Sequence, residues 1–143
     1  MKQRQTRQLR AVREVVESAH DHPTADEVMR RVRARLPQIS LGTVYRNLQK
    51  LATQGRVRVV YLADQAARYD GMTGAHDHFF CERCAAVTDI MRARASIPAV
   101  GRRLGQSGYV VRSHSLTLYG VCTACSGPKA ARAVRHARRV ASA

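Results

Sequence analysis

Asp70-Gly-Met-Thr-Gly-Ala-His76-Asp77-His78-Phe-Phe-Cys81-Glu-Arg-Cys84-Ala-Ala-Val-Thr-Asp89 is the stretch on which the rest of the chain turns. It holds two histidines, two cysteines and four acidic residues, and a second pair, Cys122 and Cys125, follows. Thiolates are soft ligands that suit zinc, whereas imidazole with carboxylate suits Fe²⁺, Mn²⁺ or Zn²⁺. One stretch therefore offers donors for two chemically different metal sites. The expectation is a structural zinc beside an exchangeable sensing metal.

The four cysteines fall in two C-x-x-C pairs, Cys81/Cys84 and Cys122/Cys125. Each pair can place two thiolates on one tetrahedral ion, and two pairs close its shell, which makes the site structural rather than catalytic. The 37 residues between the pairs exceed zinc-ribbon spacing, so the ion would pin two distant strands. A redox dithiol is the competing reading, and neither motif sits in the βαβ context it needs. His76 and His78, two apart, share a face if they lie on a strand. Taken alone such a pair is often surface decoration. Together with His22, Asp70 and Asp89 it would supply three imidazoles and two carboxylates, a set suited to Fe²⁺ or Mn²⁺.

Working outward, 143 residues bound the chain to one domain or two small ones. An apolar share of 45% is enough for a folded core. No apolar run is long enough to span a bilayer, and the start does not read as a secretory signal, so the expected location is cytoplasmic with no membrane partner. In that reducing compartment paired cysteines argue for metal rather than disulfides. Net charge is +15 and uneven: residues 1–60 carry +8, 61–125 carry +2 and 126–143 carry +5. A basic front and tail around a nearly neutral middle point to a polyanion, nucleic acid foremost. An Arg-rich solvated surface is the alternative.

The N-terminal half predicts three helices and a ribbon. Residues 6–19 place Val12, Val15, Val16 and Ala19 on one face, and Pro23 ends the run. Thr24-Ala-Asp-Glu27 has capping-box form and opens a helix that buries Val28, Val32 and Leu36 before Pro37. Ser40 caps a third helix, Leu41 to about Gln54, with Val44, Leu48 and Leu51 as its stripe and Gly55 as its stop. Residues 56–62 and 67–70 alternate like the strands of a ribbon. That order is a winged helix-turn-helix, whose recognition helix enters the major groove. Its polar face offers Thr43, Tyr45, Arg46, Asn47 and Lys50 as DNA contacts.

Beyond a hinge at residues 71–76, the second half reads as strands at Phe79–Phe80 and Ala86–Ile90 and a helix begun by Ser96-Ile-Pro98. Residues 109–119 alternate strongly and predict the longest strand, which could pair with a second copy. The fold class expected is α+β: a DNA-binding domain (1–70), a hinge (71–76), an α/β dimerisation and metal-binding domain (77–126) and a basic tail (127–143). Enzyme motifs are missing: His78 stands where a zinc deaminase needs Glu, and there is no phosphate loop, nucleophile elbow or His-Glu-x-x-His.

In order, His22-Pro-Thr-Ala-Asp26, Ile39-Ser-Leu-Gly-Thr-Val-Tyr-Arg-Asn-Leu48, Arg68-Tyr-Asp70, His76-Asp-His78-Phe-Phe-Cys81-x-x-Cys84 and His114-Ser-Leu-Thr-Leu-Tyr-Gly-Val-Cys-x-x-Cys125 resemble the ferric uptake regulator (Fur) family over residues from about 6 to 126. The resemblance implies a homodimeric, metal-dependent DNA-binding repressor. By it, the four cysteines hold structural zinc, and His22, Asp70, His76, His78 and Asp89 form the regulatory site. Iron-uptake members typically have Glu where this chain has Asp70 and Asp89, whereas peroxide-sensing members have Asp at both. The resemblance then implies oxidation of His22 or His76 by H₂O₂ at an Fe²⁺ site, while Mn²⁺ supports DNA binding without that chemistry. The alternative within the family is an iron- or manganese-responsive, less readily zinc-responsive, uptake regulator. Ala85 and Leu9 depart from a usual Gly and Arg. Ala75 and Ser96 cannot complete a third metal site with Asp77 and His114, so His114 is expected to be a hydrogen-bonding residue on the long strand.

Overall fold

The computed structural model describes residues 6–63, 65–91, 97–112 and 114–127. Chain contacts divide the protein into two compact units, Met1–Gly74 and Ala75–Ala143. The fold is α+β, with mixed helix and sheet content in the element order the motifs led one to expect.

The first unit is built from α1 (Arg7–Glu17), α2 (Ala25–Val32), α3 (Leu41–Thr53) and the antiparallel pair β1 (Arg58–Val60) and β2 (Arg68–Asp70). Each helix starts where a hydroxyl caps it. Thr6 accepts from Leu9 N–H, Thr24 from Glu27 N–H and Ser40 from Thr43 N–H. At Thr24 the box is reciprocal, because Glu27 also accepts the Thr24 N–H at 2.7 Å. α3 stops at Gly55, whose φ of +66° suits a residue without a β-carbon. The three helices converge on Val12, Val16, Val28, Val44, Leu48 and Leu51, all fully buried. Each such side chain stabilises the fold by about 1.5–3 kcal/mol.

The second unit holds β3 (Asp77–Cys81), β4 (Val87–Ile90), α4 (Ile97–Gln106) and β5 (Thr117–Gly120). β3 and β4 form a hairpin around the first cysteine pair, and the crossover through α4 brings β5 to the other side of β3, in parallel. The sheet order is β4-β3-β5. Phe80 and Tyr119, cross-strand neighbours, meet edge to face at 5.7 Å.

Several boundaries differ from the sequence expectation. α1 ends at Glu17 rather than residue 19, and Leu9, which the periodicity overlooked, is buried while Val15 is only partly so. α2 ends at Val32, leaving Leu36 half-buried beyond it. The largest correction concerns residues 109–119. Only Thr117–Gly120 forms strand, and residues 109–112 and 114–116 have no regular structure. A strand needs a partner, and β3 offers only His78–Cys81 on that side, paired in full with residues 117–120. His114 is accordingly exposed in an irregular segment, not placed on a long strand. The expected helix start at Ser96 and the basic tail from residue 128 lie outside the described residues.

Candidate metal centres and recognition helix

Both C-x-x-C pairs belong to the second unit, and its sheet brings them together. Cys81 ends β3 and is fully buried; Cys122 follows β5, the strand parallel to it. The turn after Cys81 is tied by Ala85 N–H to Cys81 O at 2.8 Å and Cys81 N–H to Ala86 O at 2.9 Å. The second turn is closed by Cys125 N–H and Ser126 N–H on Cys122 O. Arg83 then reaches across to Cys125 O at 2.7 Å. The four Sγ atoms lie within 4.8 Å of one another, with Cys84 and Cys122 3.8 Å apart. Four sulfurs about 2.3 Å from a tetrahedral zinc would be separated by about 3.8 Å. A disulfide needs about 2.05 Å. The cluster has the dimensions of a zinc cage.

Electrostatics agree. Backbone N–H groups of Cys122 and Cys84 aimed at the Cys81 sulfur lower its pKa to about 6. Hydrogen bonding to the Cys122 and Cys84 thiols pushes Cys125 up to about 12. One sulfur is prepared as an anion while another holds its proton in hydrogen bonds to its neighbours, and repulsion between sulfurs this close adds to the effect. A divalent cation removes that conflict, since a coordinating thiol is deprotonated outright.

A harder donor set lies in the same unit. His76 precedes β3, His78 lies on it, and Asp89 is its cross-strand neighbour on β4. The two Nε2 atoms are 3.0 Å apart, and Asp89 Oδ1 is 3.3 Å from that of His76 and 3.6 Å from that of His78. Both rings are buried. Donors at right angles, each about 2.1 Å from a common ion, would lie about 3.0 Å apart. The three atoms therefore converge as ligands would.

The first unit contributes a second pair. His22, at the turn before α2, and Asp70, the last residue of β2, are both buried, with His22 Nε2 3.9 Å from Asp70 Oδ1. Met72 N–H donates to Asp70 Oδ1 at 2.7 Å and fixes the carboxylate. His22 has φ +51°, left-handed for a residue with a β-carbon. A residue before proline is driven out of the right-handed helical region. Three imidazoles and two carboxylates are thus present as two partial sets, chemically matched to iron or manganese.

On α3, the expected DNA contacts separate into two kinds. Tyr45 and Arg46 are exposed, while Thr43, Asn47 and Lys50 are half-buried. Thr43 accepts from Arg46 at 3.1 Å, and Asn47 donates to Thr43 O at 2.9 Å, so both are engaged with their own helix. Gln49 was not among the expected residues. It is exposed and lines one groove of about 430 Å³ with Arg46 and Lys50, and another with Tyr45 and Tyr61. The available signal was its spacing, three residues after Arg46 on the same helical face.

The sequence profile of the ferric uptake regulator family matches residues 1–119. The peroxide operon regulator of Bacillus subtilis is 32% identical over 122 residues, covering 85% of this chain and 83% of its own. The crystal structure of the Campylobacter jejuni peroxide stress regulator is 30% identical with a TM-score of 0.69, covering 82% of this chain and 88% of its own. A zinc-bound manganese uptake regulator is 28% identical with a TM-score of 0.63, covering 85% and 92%. With its donor sets, its order of elements and these similarities, the chain belongs to the ferric uptake regulator family.

Proposed function

We propose that this chain is a cytoplasmic, homodimeric, metal-dependent repressor that binds double-stranded DNA and senses peroxide through Fe²⁺-catalysed oxidation of a ligating histidine. The observation that supports it most is the division of the donors. His22 and Asp70 lie before the proposed hinge (residues 71–76), and His76, His78 and Asp89 lie at its end or beyond it. We assign all five to one regulatory ion, with structural zinc on Cys81, Cys84, Cys122 and Cys125. An ion held by both halves favours whichever arrangement completes its shell. If that arrangement spaces two recognition helices to match two operator half-sites, metal binding becomes DNA binding. Tyr45, Arg46 and Lys50, with Thr43 and Asn47 behind them, are the proposed contacts. The dimer is assigned to the second unit, where the apolar side chains of Tyr109, Val110, Val111 and, on β5, Leu118 are exposed.

Held by these residues, Fe²⁺ would supply the redox chemistry that cleaves the O–O bond of H₂O₂, as a catalyst with no net loss of electrons. One peroxide oxygen ends on a ring carbon of His22 or His76, and the other leaves as water. The imidazole loses two electrons and the peroxide gains them. An oxidised ring is a poorer ligand, so the shell opens and the DNA-binding arrangement loses its support. The Asp pair 70 and 89, shared by resemblance with peroxide-sensing relatives, favours this over iron-uptake regulation. The second reading, manganese-responsive regulation, is supported by the manganese uptake regulator's similarity and by a donor set that holds Mn²⁺ equally well.

His22→Ala tests the coupling. Its DNA affinity, measured on a duplex selected by the Mn²⁺-loaded protein, should no longer respond to Mn²⁺, while sedimentation still shows a dimer. A metal response equal to wild type would remove the mechanism.

A further inference from the structure

His22 is itself held in place by its neighbours. Its left-handed backbone, φ +51°, is unfavourable for a residue with a β-carbon and persists only where surroundings over-determine it. The surroundings are β2. Tyr69 N–H donates to Pro23 O at 3.0 Å, and Thr24 forms an antiparallel bridge with Arg68. Arg68, its side chain largely buried, places Nη1 3.4 Å from His22 O and 3.4 Å from Glu27 Oε2. That carboxylate oxygen also accepts the Thr24 N–H at 2.7 Å and its hydroxyl at 3.0 Å. Two residues after Arg68 the same strand ends in Asp70.

We propose that Arg68 is a positioning residue for the regulatory metal: with Glu27 it clamps the His22 carbonyl to β2, so that His22 and Asp70 are presented as one preformed pair. The assignment rests on the reading of His22 and Asp70 as ligands. Both Arg68 contacts are long, so they act mainly through charge. The guanidinium lies between a carboxylate and a carbonyl and holds the turn in the conformation that aims the ring. A neutral side chain of similar length keeps the packing and loses that hold. The clamp also joins the wing to the metal site, because β2 belongs to the ribbon whose Val59 and Tyr69 line a groove with Tyr45 and Gln49 of α3.

The test uses zinc-loaded full-length protein and compares Arg68→Met, Arg68→Lys, Glu27→Gln and His22→Ala. Mn²⁺ affinity is read from the EPR signal of free Mn²⁺, coordination from the visible absorption of bound Co²⁺, and folding from urea midpoints without regulatory metal. Removing a group that orients a ligand costs roughly 10–100-fold in metal affinity. Arg68→Met should therefore bind Mn²⁺ at least about ten-fold more weakly and show shifted Co²⁺ bands, with Arg68→Lys recovering part of the loss. Wild-type affinity and Co²⁺ bands in Arg68→Met would overturn the assignment. Should that variant unfold, wild-type binding by both Arg68→Lys and Glu27→Gln would overturn it instead. Should His22→Ala keep full affinity, the ligand reading itself fails. Loss in His22→Ala with none in Arg68→Met removes the clamp alone.

Discussion

Among the described residues two with β-carbons, His22 and Ala85, sit in left-handed backbone, and they differ in what the conformation does. His22, φ +51°, is a proposed ligand held by its neighbours; Ala85, φ +58°, closes the turn after Cys84. A β-carbon there costs about 1–2 kcal/mol, against about 0.4–1 kcal/mol of unfolded-chain entropy that glycine adds. Ala85→Gly should therefore stabilise the zinc-loaded second unit by roughly 1 kcal/mol, read as a higher denaturation midpoint. Neither strained position is legible from periodicity, and only the proline after His22 hints at the first. Glu27 is the other informative residue. Hydrogen bonding from the Thr24 backbone, then the Thr24 side chain and the charges of Arg68 and Arg30, holds its pKa below the usual 4.5 against the opposing effect of burial. A lowered carboxyl contributes stability that is full above its unfolded value and is lost as pH falls through the folded one. Thermal midpoints of wild type and Glu27→Gln should thus differ at pH 7 and converge only as pH falls below 4.5 and through the lowered folded pKa.

At the scale of elements, glycine 71 links the wing to α1. A β-carbon there would lie 2.6 Å from Glu17 Cα and 2.7 Å from Val16 O, backbone atoms that cannot swing aside. Gly71→Ala should destabilise the first unit by about 1–3 kcal/mol and weaken Mn²⁺ binding, because Asp70 is the adjacent residue; urea unfolding and a metal titration check both. The helices were legible because their signals are local: Thr24 and Ser40 announce the caps, and Val44, Leu48 and Leu51 mark one face. The cysteine cage was legible because two C-x-x-C pairs leave few other uses for four thiols. The strand expected over residues 109–119 was not, since alternation records which side chains share a face and says nothing of whether a neighbour exists. β3 supplied a partner for four residues only. If a second copy covers these exposed apolar side chains of the second unit, Val110→Asp with Leu118→Asp should turn a dimer into a monomer in sedimentation without unfolding the helices of the first unit.

The whole molecule combines a strongly basic charge of +15 with two sets of metal donors of different softness. The charge gives affinity for any duplex and makes it fall with salt; the proposed regulatory ion decides when that affinity is organised. Among the described residues no helix is long and apolar enough to cross a membrane. Harder to read from sequence was how donors 48 positions apart, His22 and Asp70, come together, since that depends on β2 folding back onto the turn before α2. The central claim is that this ion is the peroxide sensor. Its most direct test is DNA binding by zinc-loaded protein under anaerobic conditions, with Fe²⁺ or Mn²⁺, before and after a brief H₂O₂ pulse, alongside mass spectrometry of the His22 and His76 peptides. The account predicts that only the iron sample releases DNA, with one oxygen atom added to either peptide. DNA binding that requires the metal but survives peroxide, with both peptides unmodified, would contradict it.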